Sequence, residues 1–147
     1  MTNSHQALSS WLKRTKKMTK FKDLGLNDEV LRGITDQGYE EAFEIQEAVI
    51  PILLSKRDVV GQAHTGSGKT AAFALSMLND IVPKKGIQGL IMAPTRELAI
   101  QINTEIRKMG KYTGIKTATV YGGQGMGVQL DALHRGVEII VATPGRL

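Results

Sequence analysis

Apolar and polar positions follow two rhythms along this chain, one of helical period and one of short unbroken runs, and the two alternate from Asn27 to the end. The segment "NDEVLRGITDQG" (27–38) opens on the capping residues Asn27 and Asp28 and closes on Gly38, which predicts a short helix. Ile45, Ala48, Val49 and Ile52 recur at helical spacing behind an acid in the first turn, so a second helix is predicted over 44–54. Four short apolar runs end in turn residues and predict strands: "DVVGQA" at 58–63, "GLIMAP" at 89–94, "TATVYGG" at 117–123 and "EIIVATP" at 138–144. Helical stretches are predicted at 70–82, 96–110 and 126–135. Strand and helix in alternation imply an α/β fold, a parallel sheet covered by helices on both faces.

Ligands of such sheets gather at the carboxyl ends of the strands. Those ends read Ala63 to Thr70, Pro94-Thr95-Arg96, Gly122-Gly123 and Thr143-Pro144-Gly145-Arg146, and all four carry residues suited to phosphate. Glycine and proline are common in strand-to-helix turns, which explains any one of these ends but four together poorly.

"AHTGSGKT" (63–70) matches the phosphate-loop pattern G-x-x-x-x-G-K-[ST] except for alanine at the first position. Gly66 and Gly68 let backbone amides close round an anion, and the helix that follows points its positive end at the same place. Lys69 can reach the outer phosphates, and the Thr70 hydroxyl can ligate a Mg²⁺ ion that bridges them. His64, Thr65 and Ser67 complete the loop. The three histidines are scattered and have no metal-ligand spacing, so the His64 side chain by itself reads as solvated. A dinucleotide fingerprint is excluded at "GGQGMGV" (122–128), whose glycines at 123, 125 and 127 give G-x-G-x-G rather than G-x-G-x-x-G.

Composition changes this picture little. A chain of 147 residues, 41% apolar, can bury a core. It contains no cysteine, which excludes disulfides and thiolate metal sites and fits a reducing, cytoplasmic setting. The longest apolar stretch, "AVIPILL" (48–54), is too short and too broken by proline to span a bilayer, and no membrane partner is expected. The net charge of +5 resides entirely in residues 1–20, through Lys13, Arg14, Lys16, Lys17 and Lys20, and residues 21–147 balance 14 basic against 14 acidic side chains. The first 20 residues read as a basic, disordered extension, and any polyanion site on the body has to be local.

Several of these segments together resemble one family, the DEAD-box ATP-dependent RNA helicases, and specifically their first RecA-like domain, a P-loop NTPase fold. "GYEEAFEIQ" (38–46) is similar to the family's Q motif, "AHTGSGKT" to motif I, "PTRELA" (94–99) to motif Ia, Gly122-Gly123 to the glycine doublet and "TPGR" (143–146) to motif Ib, in family order. The resemblance covers 21–147 and accounts for the alanine that opens motif I. It implies ATP and Mg²⁺ as ligands, with Gln46 reading adenine and Phe21 stacking on the base. An amide carries a donor beside an acceptor, which matches adenine's edge and not guanine's two acceptors. It further implies that Pro94, Thr95, Arg96, Gly122, Gly123, Thr143, Pro144, Gly145 and Arg146 grip an RNA backbone without reading bases. The plain alternative for Arg96 is a pair with Glu97 or another carboxylate.

Two departures from the family pattern bear on function. The usual Pro-Thr-Pro before Ile-Gln is Ala42-Phe43-Glu44 here, so the hydroxyl at position 43 is missing and adenine selectivity is expected to be weaker. No acid cluster follows motif Ib, which implies a fold truncated at its C-terminal end. The parent reading frame is expected to continue into Asp-Glu-Ala-Asp within about 30 residues, one more strand-helix-strand unit, and then into a second RecA-like domain. Residues 1–147 alone are then expected to show no turnover. Two other readings stay open: a truncated module that binds ATP or RNA without hydrolysis, and a related helicase or translocase acting on DNA.

Overall fold

The computed structural model describes residues 18–123 and 125–147. Most of the basic extension therefore lies outside the described residues, including Lys13, Arg14, Lys16 and Lys17. Its last residue, Lys20, forms an isolated antiparallel bridge with Glu41. A 3-10 turn at Phe21–Asp23 leads to α1 (Asp28–Thr35), α2 (Glu44–Leu54), α3 (Lys69–Asp80), β1 (Gly89–Met92), α4 (Arg96–Met109), β2 (Thr117–Val120), α5 (Met126–His134) and β3 (Ile139–Ala142). The three strands are parallel and ordered β1-β3-β2, with Ile91 and Thr119 both level with Val141.

The helices start where capping chemistry dictates. Asn27 Oδ1 accepts from the Val30 amide at 2.9 Å and caps α1, and the Asn27 amide donates to Asn79 Oδ1 at 2.7 Å, which ties α1 to the end of α3. Thr95 Oγ1 accepts from the Leu98 amide at 3.3 Å and caps α4. Ile34, Ile50, Leu75, Leu78, Ile106, Ile139 and Val141 are fully or almost fully buried in one cluster that joins the helices to one face of the sheet. Each such side chain contributes about 1.5–3 kcal/mol of burial. Gly33 permits the close approach of α1 to α4, because a β-carbon there would stand 2.0 Å from the Met109 carbonyl oxygen. Glu138, 3% exposed, accepts from the amides of Lys84 at 2.8 Å and Lys116 at 2.7 Å, and so anchors the loops that feed β1 and β2 to the start of β3.

Two expectations need correction. The run 58–63 is not a strand: among the described residues no strand pairs with it, and unpaired backbone makes no ladder. It runs along α2, since a β-carbon at Gly61 would touch Ile45 and Val49, while Val60 is fully exposed. Helices flank the sheet, but its two faces are not equally covered: one bears the buried Ile91, Ile139 and Val141. On the other, Leu90 and Met92 of edge strand β1 remain about half exposed.

Candidate nucleotide and nucleic-acid site

Residues 63–70 form a turn that closes on the first residues of α3. Gly66 and Gly68 both take the left-handed conformation, with φ of +79° and +84°, which side chains disfavour. A β-carbon at Gly66 would meet nothing within 4 Å, so the outer side of the loop is open to a ligand. Lys69 Nζ folds back over the loop, donating to the Ala63 carbonyl and, at 2.7 Å, to the His64 carbonyl. Ser67 Oγ is buried and has no hydrogen-bond partner among the described residues. The loop therefore holds a cation engaged by its own carbonyls, a buried hydroxyl without a partner among the described residues and the amino end of a helix, a donor set that fits the phosphates of a nucleotide. Thr70 stands in the first turn of α3, half-buried beside Lys69. His64 and Thr65 are exposed on the loop.

Gln46 lies behind this loop, 1% exposed. Its Oε1 accepts from the Phe43 amide at 2.9 Å and its Nε2 donates to the Gly68 carbonyl at 3.1 Å, so one side chain both starts α2 and ties that helix to the phosphate loop. Phe21 is placed elsewhere: 2% exposed, in the core, its ring centroid 5.9 Å from that of Tyr39. Neither ring face is open, so stacking on a base would require Phe21 to leave the core.

The three strand ends converge because parallel strands in register finish at one edge. Pro94, Thr95 and Arg96 follow β1, Gly122 and Gly123 follow β2, and Thr143 to Arg146 follow β3. The Arg96 guanidinium lies over the Tyr121 ring at 5.2 Å from its centroid, and it passes 3.8 Å from where a β-carbon at Gly123 would stand. Segments from β1 and β2 thus share one exposed arginine. Among the described residues no ion pair joins Arg96 to Glu97 or to another carboxylate. The Arg146 guanidinium contacts Met126 Sδ at 3.5 Å, at the start of α5. The Thr95 hydroxyl is engaged as a helix cap acceptor but keeps its own proton to donate. Glycine at 122 and 123 leaves this rim low and accessible.

One residue of this rim has only a positional signal in the sequence. Tyr121 immediately precedes the glycine doublet at a strand end, a position that could have flagged it as the support for Arg96. A cavity of about 540 Å³ opens at the opposite end of the sheet, lined in part by Arg107, Lys111, Lys116 and Arg135. None of the candidate residues lines it, and Arg107 stands in the last turn of α4, where positive charge complements the helix dipole. Among the described residues no helix is long and apolar enough to cross a membrane, and no His, Asp and Glu cluster is arranged to hold a metal ion.

The DEAD/DEAH box helicase family model matches residues 43–147. The DEAD-box ATP-dependent RNA helicase CshA of Bacillus cereus is 47% identical over 131 residues, 88% of this chain and 25% of its own length. A DEAD box protein from the hyperthermophile Methanococcus jannaschii superposes with a TM-score of 0.83 at 41% identity, over 86% of this chain and 35% of that one. The structure of S. cerevisiae Dbp5 bound to RNA and ADP BeF3 superposes with a TM-score of 0.75 at 34% identity, over 86% of this chain and 32% of that one. This chain thus spans about a quarter of the length of the curated relative and about a third of the two structures.

Proposed function

Since the chain belongs to the DEAD/DEAH box helicase family and has its RecA-like P-loop fold, we propose that it serves as the first RecA-like domain of an ATP-dependent RNA helicase. In this reading it binds ATP at residues 63–70 and the backbone of RNA along the ends of β1, β2 and β3. The observation that carries the reading is the phosphate loop: Lys69 Nζ folds back onto two loop carbonyls, and among the described residues the buried Ser67 hydroxyl has no partner.

Binding of a triphosphate exchanges the Lys69 contacts with Ala63 and His64 for contacts with phosphate oxygens, and the amides from Gly66 to Thr70 turn to the same oxygens. Mg²⁺, held in part by the Thr70 hydroxyl, would neutralise charge on the β- and γ-phosphates. Gln46 links this rearrangement to α2 through Gly68. On the other rim Arg96 and Arg146 supply positive charge, Thr95 and Thr143 supply hydroxyls, and the glycine doublet lets a sugar-phosphate strand come close. These contacts read no bases, so discrimination between RNA and DNA rests on the 2′-hydroxyl and strand shape. Hydrolysis and strand separation call on a base for the attacking water and an arginine finger, which the family resemblance assigns to the acid cluster and second domain of the parent protein.

Equilibrium binding to labelled RNA of several sequences at graded salt tests the reading. Arg96→Ala is expected to weaken binding equally across sequences and to lower the salt slope by about one phosphate's worth. Lys69→Ala is expected to abolish Mg-ATP binding while RNA binding without nucleotide persists. A sequence-dependent loss in Arg96→Ala, or ATP binding that survives Lys69→Ala, would overturn the assignment.

A further inference from the structure

Arg96 is the first residue of α4, and its helix does not account for it. The amino end of a helix carries the positive pole of the macrodipole and disfavours a cation. Among the described residues no carboxylate pairs with the guanidinium. What meets it is an aromatic ring from the end of another strand: the guanidinium carbon lies 5.2 Å from the centroid of Tyr121, within the range at which a ring face attracts a cation. Arg96 itself stays exposed.

The backbone that carries this ring is held by two other elements. The Tyr121 carbonyl accepts from Gln129 Nε2 at 2.8 Å, and Gln129 is a residue of α5 that is 4% exposed. One residue earlier the Val120 carbonyl accepts from the Thr143 amide at 3.0 Å, which ties the end of β2 to the end of β3. Gly123 stands near the guanidinium without a side chain: its φ is +86°, and a β-carbon there would come 3.8 Å from Arg96 Nη1, so glycine keeps that approach clear. An arginine rooted on α4 thus meets an aromatic residue whose own place is set by α5 and β3.

We propose that Tyr121 is a positioning residue for nucleic-acid binding: its ring holds the Arg96 guanidinium at the ends of β1 and β2 in readiness for a phosphate of the RNA strand, and does not itself touch the strand. The proposal rests on the RNA-backbone reading above. A ring engages the face of a guanidinium and leaves its in-plane N–H donors for a phosphate, so the two contacts are compatible. An exposed arginine otherwise gives up rotamer freedom when it binds, and a ring that restricts it beforehand lowers that cost. The phenol hydroxyl has no part in this, so the effect belongs to the ring.

The test is a double-mutant cycle, read as equilibrium binding of a labelled single-stranded RNA to the intact chain and to its Tyr121→Leu, Tyr121→Phe, Arg96→Ala and combined Arg96→Ala, Tyr121→Leu variants. Tyr121→Leu is expected to weaken binding about two- to fivefold, the worth of an exposed cation–π contact, and Tyr121→Phe to retain it. In the Arg96→Ala background Tyr121→Leu should have no further effect. The NMR resonance of the Arg96 side-chain Nε–H gives a readout without RNA: it should carry a ring-current shift in the unsubstituted protein and in Tyr121→Phe and lose it in Tyr121→Leu, with Mg-ATP binding unchanged in all three. Equal losses from Tyr121→Leu in both backgrounds would mean that the ring meets the strand itself, and would overturn the proposal. So would full RNA binding in Tyr121→Leu, a loss in Tyr121→Phe, or an Nε–H resonance indifferent to the ring. Mg-ATP binding that falls together with RNA binding in Tyr121→Leu would make the residue a general support of the fold and overturn it as well. RNA binding indifferent to Arg96→Ala would instead remove the RNA reading of Arg96, and this proposal with it.

Discussion

Gln46→Glu changes one group and nearly nothing of the shape, and its cost should depend on pH. The side chain is 1% exposed and makes two bonds, accepting from the Phe43 amide at 2.9 Å and donating to the Gly68 carbonyl at 3.1 Å. In the variant one carboxylate oxygen still accepts from Phe43, but the other is an acceptor facing the carbonyl of Gly68. The ionised form loses the donated bond, about 1 kcal/mol net, and carries a charge out of water, which brings the total to about 2–4 kcal/mol after local relaxation. Protonation restores an O–H donor to Gly68, so burial and the facing carbonyl together raise the folded pKa of the substituted carboxyl above its unfolded value of about 4.3. A raised folded pKa means that the variant approaches wild-type stability below that unfolded value and loses stability as pH rises through the folded one. Urea unfolding followed by circular dichroism at pH 4 and pH 8, compared with wild type at the same pH, reads this directly, provided the m-value is unchanged. A stability difference equal at both pH values, or none at pH 8, would show that residue 46 turns to solvent rather than bridging α2 to the phosphate loop.

Three further outcomes are expected. Gly33→Ala should destabilise by about 1–3 kcal/mol in chemical denaturation, because its β-carbon would stand 2.0 Å from the Met109 carbonyl and force α1 away from α4; a neutral result would mean that the two helices part easily. Glu138→Ala leaves the amides of Lys84 and Lys116 without their buried acceptor and should cost about 2–4 kcal/mol, with hydrogen exchange at those two amides accelerating ahead of the core; unchanged protection would refute the anchoring role. The Lys111 ammonium, followed by the Tyr112 hydroxyl, hydrogen-bonds the Asp36 carboxyl and holds it below its ordinary range, so the interaction is complete above the unfolded carboxyl pKa and is lost as pH falls through the folded one. An NMR titration of Asp36 should show the depressed midpoint in wild type and a normal one when Lys111→Met and Tyr112→Phe are combined; an ordinary midpoint in wild type would dismiss the pair.

Wherever a feature is local, these residues alone determined it. The helix over 44–54 was legible to the residue, and α3, α4 and α5 to within one or two at each end, because apolar spacing and capping residues act within a few positions. The phosphate loop was legible because its glycines, lysine and threonine are contiguous and answer to one geometric need. Only the tertiary structure could decide matters of pairing and burial. The run 58–63 has the composition of a strand, yet a strand exists only beside another, and none pairs with it among the described residues. Two phenylalanines of equal intrinsic character were separated by their neighbours: Phe21, which the family resemblance sets against the base, packs on Tyr39 in the core, and Phe43, at the position where the resembling family has a hydroxyl, stands half-exposed beside Gly68. Arg96 was legible as a cation but not as a ring-supported one, because Tyr121 lies 25 positions along the chain and reaches it only when β1 and β2 take parallel places on either side of β3. Hydrophobicity and propensity belong to single residues and short windows, whereas exposure, pairing and the sharing of hydrogen bonds belong to contacts between distant ones.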